Sequence, residues 1–185
     1  MAATHGPVTG GDTAAPGETA VSRQGDRIEV PTAADMHELG RRLAGVLRAG
    51  DLVVLSGPLG AGKTTLVQGI GDGLGVRGPV TSPTFVIARV HPSLTGGPDL
   101  VHADAYRLTS PAEVDDLDLD ATLDSSVTVV EWGGGLAEGL ADDRLEVIIT
   151  PAGEGREVTI TGYGARWSAL ADSAFLALSG GLEGL

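Results

Sequence analysis

The stretch Leu52-Val53-Val54-Leu55-Ser56-Gly57-Pro58-Leu59-Gly60-Ala61-Gly62-Lys63-Thr64-Thr65-Leu66 decides the fold. Its first four residues are an unbroken apolar run, the pattern of a strand buried on both faces of a sheet. Gly57 to Thr64 then match G-x-x-x-x-G-K-[ST], and the residues from 64 to 74 have helical character. Strand, glycine-rich turn and helix in this order predict a phosphate-binding loop. The glycines let successive backbone N–H groups close around phosphate oxygens with no Cβ in the way, and the helix adds its positive end. In this reading Gly57, Pro58, Leu59, Gly60, Ala61 and Gly62 form the wall of the site. Lys63 reaches the β- and γ-phosphates, Thr64 places its hydroxyl on Mg2+, and Thr65 is either a ligand of an α-phosphate oxygen or a helix-surface hydroxyl. Lys63 is the only lysine of the chain; the other eleven of its twelve basic residues are arginines.

Outward from this stretch the chain alternates helix and strand patterns. Residues 27–30 form a strand candidate, followed by a helix with Thr32 as N-cap, Asp35 and Glu38 near its positive end, and Met36, Leu39, Leu43, Val46 and Leu47 at helical spacing. Gly50 is expected to close that helix, which carries Arg41, Arg42 and Arg48 as a solvated face. Further strands are expected at 85–90, 100–103, 127–130, 145–150 and 157–161, with the last two joined as a hairpin around 151–155. A loop at 92–98, a short acidic helix after Pro111, a glycine-rich connection after Trp132 and a final helix around 166–178 complete the pattern. The expected fold is α/β: a P-loop NTPase-like mixed β-sheet flanked by helices, in a single domain over 26–180. Residues 1–25 are small, polar and turn-prone, with no apolar face to offset the entropy of ordering, and are expected to form a disordered tail.

A phosphate loop needs acids for metal and water, so carboxylates at strand ends are the next signal. Val127-Thr128-Val129-Val130-Glu131 is an apolar strand ending in an acid, the Walker B arrangement. Lying beside the loop strand, it would bring Glu131 to Mg2+ and its waters. Leu100-Val101-His102-Ala103-Asp104 ends in a second candidate, Asp104. His102 shares a strand face with Asp104, which makes a His–Asp metal pair conceivable, although a loop-bound nucleotide already explains the acid. Glu113, Asp115, Asp116, Asp118 and Asp120 read as a solvated charge run. Thr81-Ser82-Pro83-Thr84 puts three hydroxyls on a loop after the phosphate-loop helix. Such a loop can sense the γ-phosphate through Mg2+, or it can be an ordinary Ser-Pro turn.

Composition removes several function classes. The 185 residues suit one core, and 25 acids against 12 bases give a net charge of −13, which leaves no broad basic footprint for nucleic acid or anionic lipid. Cysteine is absent, excluding disulfides, a thiolate nucleophile and cysteine-ligated metal centres. No apolar run approaches the roughly 20 residues of a bilayer span, and the start of the chain lacks a signal-peptide pattern, so a soluble, cytoplasmic protein is expected. With its one lysine in the phosphate loop, the chain has no Asn-Lys-x-Asp segment for reading guanine. A small-molecule kinase would need an acceptor pocket and an arginine-rich lid, for which Arg89 and Arg107 are isolated candidates. A nucleotide-binding adaptor with negligible hydrolysis is a third reading.

Residues 56–66 (SGPLGAGKTTL), 81–85 (TSPTF), 102–108 (HADAYRL) and 129–132 (VVEW), in this order, resemble the TsaE family, formerly YjeE. These are small P-loop ATPases of the bacterial tRNA threonylcarbamoyladenosine pathway. The resemblance extends over about 27–162. It implies that Lys63 and Thr64 bind phosphate and Mg2+, that Ser82 and Thr84 lie in a switch-like loop, that Asp104 and Glu131 serve metal and water, and that Trp132 lies near the nucleotide. It also implies an accessory ATPase subunit that binds the TsaD–TsaB pair and supports repeated turnover of the modification enzyme. A lone loop lysine with no obvious arginine finger leaves transition-state charge under-compensated, so ATP hydrolysis by the isolated protein is expected to be weak and to rise with its partners. Gly133-Gly134-Gly135 departs from the charged turn usual in the family, and residues 1–25 are extra to its core.

Overall fold

The computed structural model describes residues 22–83, 87–169 and 178. In chain order these form β1 (Ser22–Val30), α1 (Ala33–Ala44), β2 (Leu52–Ser56), α2 (Lys63–Leu74), β3 (Ala88–His91) and β4 (Asp99–Asp104). There follow α3 (Pro111–Asp115), α4 (Asp120–Leu123), β5 (Ser126–Glu131), a 3-10 turn (Glu138–Leu140), β6 (Arg144–Ala152), β7 (Gly155–Tyr163) and α5 (Ala165–Ser168). The strands make one seven-stranded sheet in the order β1-β7-β6-β2-β5-β4-β3. β6, β2, β5 and β4 run parallel, while β1, β7 and β3 add antiparallel margins. This is the mixed α/β sheet expected, with β2, the strand that leads into the glycine-rich turn, at its centre. No helix among the described residues is long and apolar enough to cross a membrane.

The apolar run of β2 is buried on both faces. Val53 and Leu55 join the core beneath α1 and α2, with Met36, Leu39, Leu43, Leu66 and Ile70. Leu52 and Val54 join the opposite core, with Val101, Val114, Leu119 and Val130. The helix that follows the loop is seated on α1 by backbone contact: a Cβ at Gly69 would collide with the His37 carbonyl, and one at Gly40 with the Leu66 carbonyl. Close packing of this kind leaves α2 little room to shift on α1.

Thr32 caps α1 as expected, in a reciprocal capping box. Its Oγ1 accepts the Asp35 N–H at 3.2 Å, and Asp35 Oδ2 accepts the Thr32 N–H at 3.0 Å. Thr32→Ala is expected to cost about 1 kcal/mol of stability, read as a lowered midpoint in chemical denaturation; an unchanged midpoint would show that the cap contributes nothing.

Several boundaries differ from the sequence reading. Helix α1 ends at Ala44 rather than at Gly50, with the Gly45 N–H donating to Arg42 and Leu43 carbonyls, so Arg48 lies in the following loop and not on the helix. Asp51 accounts for the early stop: its carboxylate accepts the Arg48 N–H at 2.8 Å and the Arg166 guanidinium at 3.2 Å on both oxygens, and Arg166 also donates to the Val46 carbonyl at 2.7 Å. Strand β1 begins at Ser22, pairing with Tyr163, so residues 22–25 of the expected tail belong to an edge strand. Main-chain pairing needs no apolar pattern, which is why the sequence carried no sign of it. Residues 1–21 of that tail lie outside the described residues. So do Phe85 and Val86 of the strand expected at 85–90, observed as β3, and most of the final helix, of which α5 and the buried Leu178 are described. The hairpin forms as expected, Ala152 pairing with Gly155 across a turn in which Gly153 has φ 59°. In the acidic run, Glu113 is more than a solvated charge. It caps α3, accepting from the Thr109 and Ser110 backbone N–H groups and the Thr109 hydroxyl, and these bonds, Thr109's first, hold its carboxyl below the usual range.

Candidate functional site

The parallel strands bring their carboxyl ends to one edge of the sheet. Glu131, the last residue of β5, is in register with Leu55 on one side and with Asp104, the last residue of β4, on the other. The glycine-rich loop leaves β2 at this same edge, so loop and carboxylates face one crevice, the usual place for a ligand in an open α/β sheet. A cleft of about 590 Å³ opens there, lined by Leu59, Gly60, Ala61, Gly62, Lys63, Thr64 and Thr65 of the loop and α2 together with Ser82, Asp104, Tyr106, Glu131 and Trp132.

Lys63 is only 5% exposed. Its Nζ donates to the carbonyls of Gly57 at 2.8 Å and Pro58 at 3.0 Å, and stands 3.8 Å from the centre of the Trp132 ring. Gly57 and Pro58 thus touch the lysine through their carbonyls rather than lining the cleft. Burial pushes the ammonium pKa down, and the negative charges of Glu131 and Asp104 partly restore it. Thr64 Oγ1 donates to Glu131 Oε1 at 3.1 Å, and the same carboxylate oxygen lies 2.8 Å from His102 Nε2. With Glu131 ionised, Nε2 is the donor. His102 is fully buried, and its Nδ1 has no partner among the described residues.

Asp104 forms the other wall. Its Oδ1 accepts the Tyr106 N–H at 2.9 Å and its Oδ2 accepts the Ser82 hydroxyl at 3.4 Å, which ties the expected switch loop to the carboxylate. Thr84, the other hydroxyl assigned to that loop, lies outside the described residues. Trp132 turns sharply after β5, with φ 60°, a left-handed conformation costly for an aromatic residue. Its N–H donates to the Leu55 carbonyl at 2.8 Å, and its ring meets that of Tyr106 at 5.0 Å. Gly133 and Gly134 sit close to the end of β2. A Cβ at Gly134 would stand 2.5 Å from Ser56 Oγ, and one at Gly133 about 3 Å from Val130, Ala137 and Val54 side chains, so larger residues there would require these side chains to move; Gly135 has φ 81° and open space around it.

The oxygen donors of Thr64, Glu131 and Asp104 are of the hard kind that suits Mg2+, which commonly takes one or two carboxylates and completes its shell from phosphates and water. Among the described residues no group of three or more His, Cys, Asp or Glu side chains gathers into an all-protein metal cage. The conceivable pairing of His102 with Asp104 is replaced by the bond between His102 and Glu131. Arg89, one of the two arginines considered for a kinase lid, donates to Thr81 Oγ1 at 3.0 Å.

Two neighbours of the site, Tyr106 and Arg156, were not singled out by sequence, and a third, His102, was considered only beside Asp104. Tyr106 lies within the HADAYRL segment but carried no pattern of its own. The attachment of His102 to Glu131 depends on β5 lying beside β4. Arg156 approaches the loop from β7, 95 residues distant from Ala61, where a lone strand arginine reads as a solvated charge.

Against this geometry stand the likenesses to known proteins. The family model described as threonylcarbamoyl adenosine biosynthesis protein TsaE matches residues 30–158. Proteins named tRNA threonylcarbamoyladenosine biosynthesis protein TsaE are similar to the chain. That of Streptomyces coelicolor is 64% identical over 148 residues, covering 77% of this chain and 99% of the relative. That of Bacillus subtilis is 38% identical over 136 residues, covering 72% and 84% respectively. Among solved structures, the crystal structure of Bacillus subtilis YdiB superposes with a TM-score of 0.66 at 28% identity, covering 83% of this chain and 95% of that one.

Proposed function

The chain belongs to the threonylcarbamoyl adenosine biosynthesis protein TsaE family, and from that premise we propose that it is an ATP-binding and ATP-hydrolysing accessory subunit of tRNA N6-threonylcarbamoyladenosine synthesis, a nucleotide-gated partner of a TsaD–TsaB complex. The observation that carries the reading is the convergence of Lys63, Thr64, Glu131 and Asp104 on the edge where the glycine-rich loop leaves β2.

In the proposed reaction a water oxygen bonds to the γ-phosphorus of ATP and the bond to the β–γ bridging oxygen breaks, leaving ADP and phosphate. Lys63 releases the Gly57 and Pro58 carbonyls and turns its ammonium to the phosphate oxygens. Thr64, Glu131 and Asp104 would hold Mg2+, which when bound offsets the phosphate charge. A carboxylate oxygen of Glu131 or Asp104 orients the attacking water. Ser82, bonded to Asp104, links the state of the site to the loop at 81–84, the element whose ordering would differ between the ATP and ADP forms. Trp132, in contact with the lysine and with the tilted ring of Tyr106, would close the site on one side.

The isolated subunit offers no arginine finger among the residues lining the cleft, so transition-state charge is under-compensated and hydrolysis alone is expected to be slow. A net charge of −13 favours a protein partner over the phosphates of tRNA. Phosphate release measured with and without purified TsaD–TsaB tests the proposal. We expect slow turnover alone, a rise with the pair, and co-elution with it in the presence of nucleotide. Equal rates together with separate elution would sink the partner role.

A further inference from the structure

We infer that Arg156 is a positioning residue of the phosphate loop, holding two successive peptide planes so that their N–H groups face the bound phosphates; this rests on the ATP-binding reading above. Arg156 is the second residue of β7, paired with Val30 of β1 and Pro151 of β6. Its guanidinium reaches across to the outer side of the loop. Nε donates to the Ala61 carbonyl at 3.2 Å and one terminal nitrogen to the Gly60 carbonyl at 3.2 Å, while the other terminal nitrogen is anchored on the Gly155 carbonyl at 2.7 Å.

The consequence follows from peptide geometry. In a trans peptide the C=O and the N–H of the next residue point in opposite directions, and no cis bond occurs here. Holding the Gly60 and Ala61 carbonyls outward therefore turns the N–H groups of Ala61 and Gly62 to the inside of the loop. The Ala61 N–H donates to the Pro58 carbonyl at 3.1 Å, a turn bond within the loop that phosphate oxygens would have to share or replace, whereas no bond to the Gly62 N–H is seen among the described residues. Such a clamp is needed because Gly60 and Gly62 have φ values of 76° and 106°, and glycine crosses between left- and right-handed conformations at little cost. A planar fork of donors matches two adjacent carbonyls, which the single charge centre of a lysine does not.

Arg156 acts from behind the loop. It is absent from the residues lining the 590 Å³ cleft and instead borders a separate cleft of about 190 Å³ with Thr32, Met36 and Thr65. Its influence on phosphate is then exerted through the loop, and it must be felt by any polyphosphate whether or not a nucleoside is attached.

The test measures the affinity of ADP and of inorganic tripolyphosphate by calorimetry for the wild-type protein, Arg156→Ala and Arg156→Lys, with a thermal melt of each. We expect Arg156→Ala to weaken both ligands by the same factor, about tenfold, and Arg156→Lys to recover part of the loss. Unchanged affinity with a lowered melting point would overturn the inference and leave Arg156 a packing residue. Weakening of ADP alone would also overturn it, assigning Arg156 to the nucleoside. If the alanine variant does not fold, the lysine variant carries the same comparison. A wild-type protein that binds neither ligand would instead defeat the ATP reading itself.

Discussion

Glu131→Gln is expected to lower partner-stimulated ATP turnover by about 10²- to 10⁴-fold while ADP affinity stays within a few-fold, the scale on which a positioned acid–base group contributes. The substitution is chosen because it preserves shape. Oε1 of Glu131 accepts from Thr64 at 3.1 Å and lies 2.8 Å from His102 Nε2, and a glutamine carbonyl can accept both bonds in the same place. What disappears is the negative charge at a position 3% exposed, where solvent screens little of it. The second oxygen, the one not bonded to Thr64 or His102, becomes an amide NH2, which cannot orient a water for attack or serve a divalent cation. Phosphate release with the TsaD–TsaB pair, run beside a thermal melt and ADP calorimetry, separates this from misfolding. Turnover within threefold of wild type, with the fold intact, would remove Glu131 from the reaction and leave Asp104 as the remaining candidate.

How far such residues were legible in the sequence depends on how local their determinants are. The β2 strand, the loop and α2 are contiguous, and each is signalled by neighbours within a few residues: apolar run, glycines, lysine and threonine. Glu131 was legible because a strand ending in an acid is also a local pattern, and β5 does lie beside β2. The end of α1 was misplaced because Asp51, the residue that bends 45–50 away, takes its stabilising partner Arg166 from the far end of the chain. His102 shares a strand face with Asp104, a local pattern, but its bond runs sideways to Glu131 on the neighbouring strand, which no local pattern signals. Arg156 carried no signal, since a guanidinium on the back of a loop 95 residues away is a product of the β1-β7-β6 arrangement alone. Of the glycines after Trp132, Gly133 and Gly134 give clearance beside the Val54 side chain and the Ser56 hydroxyl, while Gly135 adopts a positive φ of 81° in open space.

Lys63→Ala is expected to weaken ATP and ADP binding by roughly 2–5 kcal/mol, the range for truncating one partner of a desolvated charge pair. The ammonium is held by two loop carbonyls and the Trp132 face, contacts that the proposed binding would exchange for phosphate oxygens. The exchange is favourable because carbonyl and ring contacts are dipolar or quadrupolar, whereas the phosphates are ionic. Burial works against the charged lysine, and the carboxylates of Glu131 and Asp104 work for it. Under the proposed function a chain of charge −13 can take a polyanionic ligand because backbone N–H groups, a helix end and one ammonium at 5% exposure would serve it locally, where the surface as a whole would repel. Lys63→Arg is not expected to restore affinity, because the space between the Gly57 and Pro58 carbonyls and the indole fits a compact ammonium rather than a planar fork. Calorimetric titration with ADP decides the point: an alanine variant that binds as tightly as wild type would place the phosphates elsewhere than at this loop.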